Sequence, residues 1–267
     1  ESDSVFDACC RMKVTRVSAI VVCDTAGSVQ GIVTERDVLR KVAHKGLDPT
    51  KLILGQVMTR HPTCVPVAAC DNVKAMETMA RGRFRHLPVV EDEVSRVLVG
   101  LYDSLLLGKA ILQTGSKGLL TRTRLFMKSF FTKWSGQSAG LALALSTACD
   151  TNGVVTVESS AVVREAVATM SAQGSSAVLV RDPEVDGVSG IFTERDLLAR
   201  VLAAGLNPDS TPLATVMTLD PDAVSTSASV EDALTRMTEK HYRHLPVVDS
   251  EGVVVGMMDV AQLLQSV

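Results

Sequence analysis

The chain has 267 residues, a net charge of −3 and six cysteines. That length can bury the core of one or two domains, and the charge gives no footprint for nucleic acid. No apolar run approaches the roughly 18–20 residues that cross a bilayer. Cys9, Cys10, Cys23, Cys64, Cys70 and Cys149 form no C-x-x-C pair, so they read as reduced thiols in an intracellular, cytoplasmic setting rather than as disulfides or zinc ligands.

The chain opens Glu1-Ser2-Asp3 and enters directly on a helical pattern carrying Ala8 and Met12, which reads as an excerpt lacking an opening strand. An apolar run then closes in Gly31-Ile32-Val33-Thr34-Glu35-Arg36-Asp37, and this phrase returns as Gly190-Ile191-Phe192-Thr193-Glu194-Arg195-Asp196. Met58 and Met217 keep the same separation. Arg85-His86-Leu87-Pro88-Val89-Val90 likewise returns as Arg243-His244-Leu245-Pro246-Val247-Val248. The small slips in register fall in loop-like stretches such as 91–96, where insertion is cheap. The chain is a duplicated unit.

Each half divides again. The most complete quarter has a strand at 155–157 and a helix capped by Ser159 or Ser160. That helix has an apolar side of Val163, Ala166, Val167 and Met170 and ends at Gly174. Strands at 177–180 and 188–192 follow, and Thr193 opens a helix with Leu197, Leu198, Val201 and Leu202, ending at Gly205. The order strand, helix, strand, strand, helix recurs from Val224 onward and from Val65 to about Leu112.

These quarters resemble the CBS domain, and their pairs resemble tandem CBS (Bateman) modules. The resemblance rests on the Gly-Ile-Val/Phe-Thr-Glu-Arg-Asp phrases, the Val57-Met58-Thr59 and Val216-Met217-Thr218 entries, and the two Arg-His-Leu-Pro-Val-Val strands. It implies an α+β fold of four repeats paired into two pseudo-twofold modules. The first pair would span 1–112, with repeats at about 1–48 and 55–112. The second would span 151–267, with repeats at about 151–207 and 214–267.

Thr and Asp at a strand-to-helix junction permit two readings. Thr-x-x-acid is a capping box, and a hydroxyl with free amides at a helix start is also a seat for phosphate. In the CBS family the Asp of such a phrase holds ribose hydroxyls, and basic residues before the partner repeat's Leu-Pro strand meet phosphate. Carried over by position, one site would use Thr34, Asp37, Arg85 and His86, and the other Thr193, Asp196, Arg243 and His244. The other two quarters place Asp103 and Asp259 at the Thr position, and Leu106 and Gln262 at the Asp position. Those residues keep a cap but offer no ribose acceptor. One nucleotide site per half is the expectation.

Residues 113–150 match neither half. Lys109, Lys117, Arg122, Arg124, Lys128 and Lys133 meet no acid before Asp150, and Phe126, Phe130 and Trp134 share a helical face. A basic amphipathic linker fits, packed on the modules or offered to an anionic membrane or a partner.

The resemblance implies a regulatory module that senses AMP, ADP, ATP or S-adenosylmethionine and signals to a protein effector, as one chain or a homodimer. No nucleophile triad, phosphate loop or metal cluster points to an enzyme. The alternatives are a scaffold that binds no ligand, or the regulatory portion of a larger enzyme, channel or transporter.

Overall fold

The computed structural model describes residues 1–114, 154–184, 187–228 and 230–260. Cys149, Gln262 and the aromatic stripe of the linker lie outside them. The chain forms two compact units, and each joins non-consecutive quarters. One unit contains Glu1–Pro62, Ser95–Leu98 and Val154–Pro221; the other contains Thr63–Val94, Val99–Gly153 and Asp222–Val267. The compact units therefore cut across the halves set by the duplication.

The first unit holds the odd quarters. Helix α1 (Val5–Thr15) is capped by the Ser4 hydroxyl, which accepts from the Asp7 amide. Strands β1 (Ala19–Cys23) and β2 (Val29–Thr34) pair antiparallel, and β3 (Thr59–Arg60) adds to β2. The other odd quarter gives a four-stranded sheet. Its strands β7 (Thr156–Glu158) and β8 (Ala177–Arg181) run parallel, and β8, β9 (Gly190–Thr193) and β10 (Thr218–Leu219) run antiparallel. Between β7 and β8, the helix Val163–Ala172 buries Val163, Ala166, Val167 and Met170, as its periodicity predicts. Its cap falls at Val162, later than Ser159 or Ser160, because Glu165 reaches back to accept from the Val162 amide.

One apolar core serves both odd quarters. Helix α1 packs on 197–204, and Val163–Ala172 packs on 38–43. Each quarter's entry helix thus covers the other quarter's last helix. This exchange explains why the odd quarters coalesce: neither buries its apolar face alone. Cys9 sits in this core, and burial pushes its thiol up to about 12, so it is an inert packing residue.

The second unit holds the even quarters. Strand β4 (Val65–Pro66) runs parallel to β5 (His86–Val90), which pairs with β6 (Leu98–Asp103). Strand β11 (Val224–Ser225) runs parallel to β12 (His244–Val248), which pairs antiparallel with β13 (Val254–Asp259). Helix Ser104–Thr114 packs on helix Val230–Lys240.

The recurrent glycine and methionine are one packing feature. Met217 lies over Gly190, where an added Cβ would come within 2.6 Å of the Met217 sulfur and 2.9 Å of the Thr218 carbonyl oxygen. At Gly31 the three atoms nearest an added Cβ all belong to the Met58 side chain. Gly190→Ala is expected to destabilise the chain by about 1–3 kcal/mol, because a backbone oxygen cannot step aside. Gly31→Ala should cost less, since Met58 can change rotamer, and Gly100→Ala, with open space around it, should cost least. Thermal melts of the three variants check that order.

Candidate functional site

The first unit contains the same constellation twice, once in each odd quarter. Strand β2 ends at Thr34, whose extended backbone leads into a helical turn at Glu35–Asp37. The Thr34 hydroxyl accepts from the Asp37 amide at 3.2 Å and donates to Asp37 Oδ2 at 2.7 Å, and the Thr34 amide donates to the same oxygen at 2.9 Å. Around Thr193 and Asp196 the corresponding distances are 3.3, 2.7 and 2.9 Å. Both phrases are capping boxes, so that reading holds for each.

The second carboxylate oxygen separates these turns from ordinary caps. Asp37 Oδ1 accepts from the Thr59 hydroxyl at 3.1 Å and pairs with Lys41 Nζ at 2.7 Å. Asp196 Oδ1 faces the Thr218 hydroxyl at 3.5 Å and Arg200 Nε at 3.4 Å. Lys41 also donates to the Val57 carbonyl, and Arg200 to those of Val216 and Met217. Sequence reasoning gave no site role to Lys41, Thr59, Arg200 or Thr218; the signal was a base four residues after each Asp. Burial pushes the Asp196 carboxyl above its ordinary range, against the pull of the Thr193 hydroxyl and Arg200.

Both turns continue into π-helix, Val38–Ala43 and Leu197–Val201. The sequence pattern predicts plain α-helix here, because apolar spacing does not register one wider turn. Such segments recur at functional sites. The two turns are also tied to each other. Arg195 Nε lies 3.3 Å from Glu35 Oε1 and Arg36 Nε 3.9 Å from Glu194 Oε2. Both glutamates are about 3% exposed. Arg36 and Arg195 thus form ion pairs with buried partners in the opposite odd quarter.

Arg85, His86, Arg243 and His244 belong to the second unit, where the structure gives them protein partners. Asp103 takes His86 Nε2 at 3.1 Å and the Arg243 guanidinium. Asp259 takes His244 Nε2 at 3.1 Å and Arg85 Nη1 at 3.4 Å. All six side chains are largely buried. Asp103 also caps its helix by accepting from the Leu105 amide. The even-quarter aspartates, expected only as caps, are therefore the counter-ions of the basic pairs. Burial pushes the His86 imidazole below its ordinary range, with Arg243 and Arg85 adding to the effect and Asp103 opposing it. Burial alone would raise the Asp103 carboxyl, but His86, Arg243 and the Leu105 amide outweigh it and hold it well below the carboxylate range.

The CBS-domain family model matches residues 1–44, 149–203 and 213–267; the second quarter is not among the matched residues. The chain is 33% identical over 287 residues to the CBS domain-containing protein CBSCBSPB3 of Arabidopsis thaliana, covering 98% of this chain and 49% of that protein. It is 27% identical to the meiotically up-regulated gene 70 protein of Schizosaccharomyces pombe, covering 96% and 40%. The chain thus spans about half the length of the curated relatives it matches. Among solved structures, protein MJ1225 of Methanocaldococcus jannaschii aligns with a TM-score of 0.73 at 14% identity, covering 99% of this chain and 93% of that one.

The charge network fixes an acid response for the second unit. His86 has a folded pKa below its unfolded value, so from about pH 6.5 downward the unfolded chain takes up a proton that the folded chain refuses. Asp103 adds the same sign below about pH 4. Stability carried by both groups is present at neutral pH and is lost on acidification; denaturant melts between pH 7.5 and pH 4 should show the His86 part, and melts below about pH 4 the Asp103 part. Asp103→Asn at pH 7 removes the carboxylate charge facing a buried guanidinium and should cost about 3–5 kcal/mol. Asp196 has the opposite sign: burial raises its folded pKa, so on acidification the folded chain takes up that proton before the unfolded chain does. Asp196→Asn should cost clearly less than Asp103→Asn.

Proposed function

The chain belongs to the CBS-domain family, and from that premise we propose that it is a regulatory module that binds an adenine nucleotide in each odd quarter. Asp37 and Asp196 would hold the ribose diol, with Thr34 and Thr193 beside them. Binding would be passed to a partner or to further domains of a longer protein.

One observation carries the reading. The Thr-Asp-base-Thr constellation is built twice in the odd quarters, whereas Leu106 stands at the Asp position in the second quarter. A cap alone has no use for this difference, since Asp103 caps as well as Thr34 does. A carboxylate can accept from two hydroxyls at once, which suits a ribose diol. The archaeal structural neighbour has been proposed as a homolog of g-AMPK; that is said of the neighbour, and at its level of identity it supports the fold. On this proposal Arg85, His86, Arg243 and His244 maintain the second unit, and no phosphate contact is assigned to them.

A second reading is favoured by the hydrogen-bond count. A carboxylate offers about four acceptor positions, and Asp37 has four donors around it already. On that reading the turns are structural caps of an interaction scaffold. Among the described residues there is no group of three or more His, Cys, Asp or Glu placed to hold a metal, and no helix long and apolar enough to cross a membrane.

Thermal unfolding with AMP, ADP, ATP and S-adenosylmethionine separates the two readings. A ligand at about 100 times its dissociation constant should stabilise the fold by about 2.7 kcal/mol, a rise of about 5–10 °C for a unit of this size. Asp37→Asn/Asp196→Asn keeps one acceptor for the cap and removes the second that the ribose needs, so it should abolish the rise. No shift with any of the four at millimolar concentration would leave the scaffold reading in place.

A further inference from the structure

The bases four residues after each site aspartate are more than ion-pair partners. We propose that Lys41 and Arg200 are exchangeable cations, which hold the carboxylate while the site is empty and turn to the phosphate of an incoming nucleotide when its ribose takes the carboxylate. The sites would then select phosphorylated nucleosides over bare ones. This inference rests on the nucleotide reading and adds to it the residues that determine the charge of the ligand.

Four observations converge on it. First, the cation accompanies the carboxylate. Where the second and fourth quarters have Leu106 and Gln262 in place of Asp, they have Ala110 and Ser266 in place of the base. Second, each base sits on a π-helical segment, whereas the second quarter runs as regular α-helix from Ser104 to Thr114. Third, each cation is anchored on strand-entry carbonyls and not on its carboxylate alone. Lys41 Nζ lies 2.8 Å from the Val57 oxygen, and Arg200 Nη1 lies 3.0 and 2.6 Å from those of Val216 and Met217. A cation held in this way stays beside the site when the carboxylate is taken. Fourth, both side chains remain open to solvent, Lys41 at 36% and Arg200 at 46% exposure, while Asp37 and Asp196 are at 12% and 10%. A ligand can meet the cation directly.

The electrostatics give the exchange its direction. A ribose diol that reaches Asp37 Oδ1 must displace Lys41 Nζ or the Thr59 hydroxyl. For an uncharged nucleoside that displacement is a net loss, because a carboxylate–ammonium pair gives way to neutral hydrogen bonds. A phosphate on the same ligand offers the freed ammonium a new anion, and the Arg200 fork matches phosphate oxygens in two places. The phosphate therefore recovers what the ribose costs.

Isothermal titration of the full 267-residue chain with AMP and with adenosine tests this. The wild type is expected to bind AMP at least about tenfold tighter than adenosine. Lys41→Met/Arg200→Met should weaken AMP by about tenfold and leave adenosine unchanged or a few-fold tighter, so that the two ligands become nearly equal. Lys41→Arg/Arg200→Lys should restore the preference for AMP. Ligand-free melts identify any variant that fails to fold, and the single substitutions, each altering its own site with the other site as the internal reference, then stand in for the double. An AMP-to-adenosine ratio unchanged in the methionine variant overturns the proposal while leaving the nucleotide reading intact. Wild-type chain that binds neither AMP nor adenosine overturns this proposal, and it overturns the nucleotide reading as well when ADP and ATP also fail to bind.

Discussion

A carboxylate has two oxygens and about four places to accept a hydrogen bond, and the odd quarters are arranged around that limit. Oδ2 of Asp37 and of Asp196 closes the turn on the preceding threonine. Oδ1 reaches outward to a threonine on the next strand and to a base on the next helical turn. Strand, turn, helix and following strand therefore meet at one side chain. Capping and ligand binding are not exclusive uses of it, since the cap needs one oxygen and the other can exchange partners. Alanine at either position would remove both uses together, whereas asparagine separates them.

The even quarters solve the same turn with the acid moved to its first position. Asp103 still supplies the cap, but its remaining capacity points at His86 and Arg243, and Asp259 is placed likewise with His244 and Arg85. Each aspartate takes a histidine from its own quarter and an arginine from the other even quarter. The arrangement needs both quarters, as the reciprocal Arg36–Glu194 and Arg195–Glu35 pairs need both odd quarters in the first unit. Buried pairs of this kind contribute little net stability but are costly to break. They specify which quarters assemble more than they hold the assembly together.

The duplication, the buried side of helix Val163–Ala172 and the capping boxes were legible in the sequence because each is a local pattern of a few residues. What was not legible is non-local. The odd quarters share one core because each lends its entry helix to the other, and nothing in the linear order separates that from packing within a half. The bases before the Leu-Pro strands point to a ligand in the sequence, and their aspartate partners Asp103 and Asp259 are not legible there, since sequence gives residue type but not the neighbour across the fold. Lys41 and Arg200 were visible throughout as bases four residues after an acid. That spacing ordinarily marks a weak surface pair, and in the structure the π-helical turns and the carbonyls of Val57, Val216 and Met217 set these two apart.

The two kinds of turn therefore carry different consequences from one ancestral feature. In the even quarters the acid is enclosed by a buried histidine and a buried arginine, and exchange of partners would take a buried guanidinium away from its carboxylate. In the odd quarters the acid meets one base that keeps contact with solvent and holds a second anchor on the backbone. Rearrangement there strands nothing, because carbonyl oxygens retain the base while the carboxylate changes partner. The turn that can exchange partners at small cost is the one suited to a ligand, and the turn that cannot is suited to fixing the assembly.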